Sequence, residues 1–375
     1  MSDITGRLVQ ATAIASIGGI LFGYDIGVIS GALPQLSAEF DLTETQGGWI
    51  VGVLYLGGGI GAALGGMICD HLGRRTTIMI ADVIFMIGSL ILVLARDTET
   101  ILLGRLTTGI GIAVTNVADT AYLHEISPLR YRGAIVSTNE ASISFGFLIA
   151  YTAGTLLHDV DGGWRYMFAV SGFKAFFQLI GMYFLPESPV WLQERGQFQA
   201  SEDAITFFYG EDESPPISNE DAIHDHSRSK CAIDYFRSLC KYRRQGCIAL
   251  FLMVCRQLSG QMAILNFFPQ IFRDLGSENF NFEIWIAIAK FATSVLVVWK
   301  VEIIGRKTLL WTGMAGIVWG QILISLAYSS DGGVSLAIIG VLIVVISYSF
   351  SFGPLSWLII SEIFPTDIRG RCLGT

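Results

Sequence analysis

The chain has 375 residues, 52% hydrophobic and 15% charged, with 42 glycines and a mean hydropathy of +0.56. That balance is too apolar and too glycine-rich for an ordinary soluble domain and points to a protein crossing a lipid bilayer several times. The net charge of −8 adds little, because acidic residues barely affect membrane orientation, and no nucleic-acid partner is expected.

Crossing about 30 Å of hydrocarbon takes about 20 residues of helix. Apolar runs of that kind predict ten helices, over 10-32, 47-69, 76-95, 101-123, 133-156, 165-185, 246-272, 282-299, 308-328 and 334-360. The first run holds SIGGILFGYDIGVISGALP, with Asp25 near its middle. An ionised carboxylate at bilayer depth is penalised unless it faces a partner or a wet cavity, so Asp25 is a functional lead. The run ends without a small-residue cleavage pattern and reads as a retained span. Gly19, Gly23, Gly27 and Gly31 recur every four residues here, and Gly57, Gly61 and Gly65 do so on the second run. Such stripes predict close helix packing in preference to ligand contact. GGGIGAALGG sits inside a span with no Lys-Ser/Thr after it, so it is not a phosphate loop.

The one long hydrophilic segment covers 186-245. Its CAIDYFRSLCKYRRQ stretch has apolar residues at helical spacing beside bases, as expected of a short helix lying at the membrane surface. His224 to His226 read HDH without further ligands at metal spacing, and no metal is expected. With residues 1-9 in the cytoplasm, only Arg96, Arg165 and Arg273 among the bases outside the spans fall on the far side, which fixes the orientation. All six cysteines map to spans or cytoplasmic segments, so no disulfide framework is expected.

Two motif pairs reveal a repeat. DHLGRRTTIMI from Asp70 is matched by EIIGRKTLLWT from Glu302, and EISPLRYRG from Glu125 by EIFPTDIRG from Glu362, at nearly the same offset and on the same side. That pattern predicts a parallel duplication. The expected organisation is a six-helix N-terminal bundle over 1-185, the cytoplasmic loop with short surface helices over 186-245, and a C-terminal bundle over 246-375. Gly370 corresponds to Gly133, where the fifth span begins, so the expectation is ten spans of twelve and a truncated second half.

FGYDIGVISGA, DHLGRR, GRLTTGIGI, EISPLRYRG, PESPVWL, QLSG, GRK, GPLSW and SEIFPTDIRGR, in this order, resemble the sugar porter family of the major facilitator superfamily, and within it bacterial proton-coupled pentose and hexose symporters. The resemblance implies an all-α membrane protein with the major facilitator fold, two parallel-repeat helical bundles that rock about a central site. It further implies a transporter and not an enzyme, without cofactors, in the inner or plasma membrane. Its partners would be a sugar or polyol, protons and the bilayer. The rival reading is a non-transporting sugar sensor or a decayed paralogue.

Carried over residue by residue, the resemblance makes Asp25 and Arg105 the proton-coupling pair. Beside Arg105 the carboxylate is stabilised, and separation favours protonation, which ties proton entry to a conformational change. Asp70, Arg74, Arg75 and Glu125, with Arg132, Glu302, Arg306, Glu362 and Arg369, would form a cytoplasmic gate. His71 and Val190 stand where the family usually has arginines, which would weaken that latch. Phe22, Gln257 and Trp357 match positions used around the ligand, as expected for a site needing amides and an aromatic face. Other positions depart from the family: Arg256, Gln261 and Met262 replace a Gln and the Ile-Asn of a GIN motif, Glu140 replaces a Gln, and Asn266 lies one turn beyond Met262. The expected site is therefore Phe22, Glu140, Arg256, Gln257, Gln261, Asn266 and Trp357, with Glu140 and Arg256 paired across the cavity. Lys174 competes with Arg256 as partner for Glu140, and Lys290 has no assigned role.

Overall fold

The computed structural model describes residues 5–128, 132–210, 243–267, 282–304, 306–329, 333–353 and 355–356. Among them all regular structure is helical. The helices are α1 (Gly6–Glu39), α2 (Glu44–Leu72), α3 (Arg74–Val93), α4 (Thr98–Glu125), α5 (Arg132–Leu156), α6 (Gly163–Tyr183), α7 (Pro189–Glu194), α8 (Phe198–Tyr209), α9 (Arg243–Leu258), α10 (Gln261–Asn266), α11 (Phe282–Ile304), α12 (Arg306–Ser329) and α13 (Gly333–Phe350). Helix starts follow local chemistry. Thr43 and Gln46 form a reciprocal capping box ahead of α2, and the Asp97 carboxylate accepts from Thr100 N at 2.8 Å to open α4. That backbone hydrogen bond holds the exposed Asp97 carboxyl below its usual range.

Each predicted apolar run overlaps helix among the described residues, and seven segments there are long and apolar enough to cross a membrane by length and composition. α5, α6 and α11 are 25, 21 and 23 residues long. Glu140 on α5, Arg165 and Lys174 on α6, and Lys290 on α11 lower their apolarity. The predicted run 246-272 is not one continuous helix: Gly260, at φ 70°, separates α9 from α10. The carbonyl freed at the break, that of Ser259, accepts from Gln321 Nε2 of α12 at 2.6 Å.

α1 is the axis of the first bundle. Its glycine stripe lies against α5: a Cβ at Gly19 would sit 2.8 Å from Asn139 O, one at Gly23 would collide with the Ile143 carbonyl, and one at Gly31 would come 2.7 Å from Gly154 Cα. On α2, Gly57 and Gly61 face the Leu106 and Ile110 carbonyls of α4 in the same way. Both stripes are packing surfaces, as their spacing predicts.

α7 and α8 do not form a detached surface layer. Ala204, Phe208 and Tyr209 share a core with Leu8, Tyr122 and Ile126 at the Gly6 end of the bundle, and Tyr209 Oη donates to Ile126 O at 2.6 Å. Most of the loop predicted to carry a surface helix, including His224 to His226, lies outside the described residues.

The two halves meet along α5 and α11. Ser144 Oγ and Ser294 Oγ are 2.8 Å apart, Lys290 Nζ donates to Ser144 Oγ at 3.3 Å, and the Phe145 and Phe291 rings lie 5.4 Å apart. A second contact brings α10 to the first bundle, where Tyr151 Oη donates to Leu265 O at 3.0 Å.

Gly23→Ala is expected to destabilise the chain by about 1–3 kcal/mol, because the new methyl meets backbone and not a yielding side chain. Gly59→Ala, where nothing lies within 4 Å of an added Cβ, is expected to stay within about 0.5 kcal/mol of the parent. Thermal unfolding of the two variants makes the comparison.

Candidate functional site

The buried stripe of α4 runs through Arg105, Thr108, Ile112, Thr115 and Asp119. It turns Arg105 toward the middle of α1. Asp25 and Arg105 are both 0% exposed, and Arg105 Nη1 lies 3.2 Å from Asp25 Oδ2. The same nitrogen reaches Asp25 O at 3.4 Å, and Arg105 Nε reaches Ile50 O at 3.4 Å. Ser171 Oγ of α6 donates to Asp25 Oδ1 at 3.4 Å. The guanidinium sits 5.9 Å from the centre of the Phe168 ring. Burial makes this pair strongly dependent on its geometry, since either charge left alone would be costly.

Lys174 belongs to the same group. Its Nζ lies 2.9 Å from the Tyr24 ring centroid, has no hydrogen-bond partner, and acts electrostatically on Asp25. The expectation that Lys174 competes for Glu140 is therefore wrong: Lys174 projects into the first bundle beside Asp25. The cation that accompanies Glu140 and Arg256 is Lys290, since both Arg256 and Lys290 feel the charge of Glu140 and Lys290 feels Arg256. Arg256 Nε also donates to Tyr348 Oη at 2.8 Å, and Lys290 Nζ is 5.2 Å from the Phe147 ring. Three charges thus meet where the halves face each other.

Two buried amides have spare capacity. Gln261 is 1% exposed, and both its amide atoms lack a protein partner. Asn266 Nδ2 donates to Tyr55 Oη at 2.7 Å, while its Oδ1 has no partner. Buried amide atoms in that condition are suited to a ligand whose hydroxyls both donate and accept. Phe22 packs partly buried between two core clusters. Gln257 lies on an exposed face of α9, so it is not gathered with Gln261. Trp357 lies outside the described residues. A groove lined by Gln46, Trp49 and residues 97–100 opens at the far ends of α2 and α4; it contains none of these groups.

Four of the residues expected at a gate are described with their contacts. Arg74 Nη2 lies 2.8 Å from Glu125 Oε1 and its Nη1 lies 3.7 Å from Asp70. Arg75 donates to Met182 O at 3.0 Å and Tyr183 O at 2.7 Å. Two participants were not anticipated. Glu187 Oε1 accepts from the backbone nitrogens of Arg74, Arg75 and Ser188, each at 2.9 Å, and Ser188 Oγ donates to Glu125 Oε2. The PESPVWL motif was the available signal for both. All these bonds tie elements of one half together. The side chains of Arg132, Glu302 and Arg306, and all of Glu362 and Arg369, lie outside the described residues.

Arg105→Gln, which strands Asp25 without its neighbour, is expected to destabilise by about 3–5 kcal/mol. Adding Asp25→Asn is expected to recover most of that loss. Unfolding midpoints of the single and double variants give the coupling between the two positions.

The family described as sugar (and other) transporter matches residues 11–375. A chloroplastic D-xylose-proton symporter-like protein of Arabidopsis thaliana is 34% identical over 390 residues, covering 95% of this chain and 69% of that protein. The galactose-proton symporter of Escherichia coli strain K12 is 31% identical over 371 residues, covering 96% and 79%. Among solved structures, a proton:xylose symporter of the major facilitator superfamily bound to 6-bromo-6-deoxy-D-glucose superposes with a TM-score of 0.81 at 28% identity, covering 98% of this chain and 84% of that one. The partially occluded inward-open xylose transporter from E. coli gives 0.81 at 26% identity, covering 99% and 88%. The chain belongs to the sugar transporter family and has the major facilitator fold.

Proposed function

We propose that this membrane transporter moves a sugar or polyol together with a proton, by alternating access, and that Asp25 and Arg105 are the coupling pair. The observation that carries the reading is their contact at 3.2 Å with both side chains fully buried. A carboxylate with its guanidinium beside it needs no proton. When the helices rearrange and the guanidinium withdraws, the same carboxyl is a buried acid that takes one up. Each exchange of ion pair for proton then accompanies one rocking of the halves. Ser171, which donates to the same carboxyl, and Lys174, which lies beside Tyr24, complete the surroundings of Asp25.

The substrate would lie between the halves, among Phe22, Glu140, Arg256, Gln261 and Asn266, with Gln257 and Trp357 at its edge. Glu140, Arg256 and Lys290 would bias closure there, since bringing Glu140 of one half to two cations of the other favours the closed interface. Asp70, Arg74, Arg75 and Glu125 would form the first half of a gate, to be met by Arg132, Glu302, Arg306, Glu362 and Arg369. We place the N-terminus in the cytoplasm and the protein in the plasma membrane, on the distribution of Lys and Arg. The intact pair and the unpaired amides favour a working transporter over a sensor or a decayed paralogue.

In proteoliposomes with an imposed pH gradient, the full chain is expected to accumulate a monosaccharide or polyol uphill and to make the medium alkaline as it does so. Asp25→Asn is expected to lose accumulation while still exchanging labelled substrate across the membrane. Uphill accumulation that survives in Asp25→Asn would falsify the assignment of the coupling pair.

A further inference from the structure

Two acids that the mechanism above does not use are buried in the first bundle. Asp82 of α3 and Asp119 of α4 are each 0% exposed, and Asp82 feels the charge of Asp119. Asp119 lies over Gly18 of α1, where an added Cβ would sit 2.8 Å from Asp119 Cγ and 2.9 Å from Gln178 Nε2. Gln178 of α6 donates to both Asp119 oxygens at 3.1 Å. Any larger residue at position 18 would displace the carboxyl.

The surroundings are polar and incompletely bonded. Neither Asp82 oxygen has a hydrogen-bond partner, and neither does Thr115 Oγ1 or Gln178 Oε1. Thr115 is 2% exposed and Gln178 0%. Gly88 packs on Thr108, and Gly111 on Phe85, so the antiparallel register of α3 and α4 brings Asp82 level with Val114, next to Thr115 and about a turn and a half from Asp119. Gly18 faces Asp119 from α1. From α6 come Gln178 and, one turn away, Lys174, whose charge acts on Asp25. Asn139 Oδ1 of α5, also without a partner, borders Gly19. Among the described residues no Lys, Arg or His forms an ion pair with either acid. Two neighbouring carboxylates in a dry interior cannot both stay charged without a cation, so this arrangement calls for a bound positive charge.

Position decides what that charge does. Gly18 precedes Asp25 by seven residues, about 10 Å along α1, and Asp119 precedes Glu125 by six, about 9 Å along α4. The pair therefore lies between the Asp25–Arg105 contact and the Arg74–Glu125 network. We propose that Asp82 and Asp119, both buried and without a counter-ion among the described residues, bind a proton and form a second proton site, placed along the bundle between Asp25 and the side of the membrane bearing that network. The inference rests on the proton-coupled reading of Asp25 and deepens it. At rest the two acids hold one proton; a proton released as Asp25 becomes a carboxylate beside Arg105 is taken up by the second acid. The pair then gives a proton to water on the open side, and no other species is consumed.

The test uses the full chain with isotope-labelled aspartate and infrared detection of protonated carboxyl groups at neutral pH. In the Asp25→Asn background, an aspartic-acid band is expected to persist and to disappear on adding Asp82→Asn and Asp119→Asn. Absence of the band before those substitutions overturns the site and needs no further variant to fold. Loss of the band on adding sodium chloride, with potassium chloride inert, overturns it in favour of a metal-cation site. In proteoliposomes, Asp119→Asn on the parent background is expected to cut uphill accumulation by about tenfold or more, with counterflow retained. Unchanged accumulation would remove the pair from the transport route. A parent chain that shows no substrate-induced alkalinisation sinks the symport reading instead, and the infrared band still reports on the pair separately.

Discussion

A single buried ion pair sets the terms for the first half of this transporter. Asp25 and Arg105 are both sealed from solvent, and two charges removed from water must be held by geometry if they are to be tolerated. The rest of the bundle supplies that geometry. Glycines let α5 close onto one side of α1, and α4 presents its arginine from a buried stripe that also carries Thr108, Ile112, Thr115 and Asp119. From α6, Ser171 supplies a hydroxyl to the carboxylate. α1 is therefore packed closely everywhere except where chemistry is needed, and there the space is taken by polar side chains.

Polar groups in the protein fall into two systems with different tasks. One runs along the interior of the first bundle, from Asp25 past Asp119 to Glu125, and is the route proposed for the proton. The other lies between the halves, where Glu140, Lys290 and Arg256 act on one another and Arg256 is hydrogen-bonded to Tyr348. α1 connects the two, because the helix that carries Asp25 also carries Phe22 three residues away. A ligand bound at the interface and a proton bound in the bundle thus act on the same helix, which is the physical requirement for linking their free energies.

The fold was legible because apolar runs and glycine stripes are one-dimensional signals: each depends only on spacing within its own helix. The Asp25–Arg105 contact was legible for a different reason, since both residues belong to motifs that resemble a known family. Where neither support existed, reading failed in specific ways. Lys174 was set against Glu140, because a sequence does not say which way one helix faces relative to another. The break before α10 was missed because a lone glycine in an apolar run looks like any other helix glycine, and only the φ of Gly260 and the bond from Gln321 distinguish it. Asp82 and Asp119 escaped notice although each interrupts an apolar run as Asp25 does, so the criterion that singled out Asp25 would have found them too.

The contrast between the two kinds of helix contact has a mechanical meaning. α1 against α5, and α2 against α4, interlock backbone to backbone through glycine, and such surfaces have one register. α5 against α11 is joined by two serine hydroxyls, a lysine and a tilted pair of rings, all of which can trade partners after a small shear. The molecule has a slip plane built beside rigid blocks, and the chemistry of the side chains along it determines where sliding happens and how far each step must go before new partners are found.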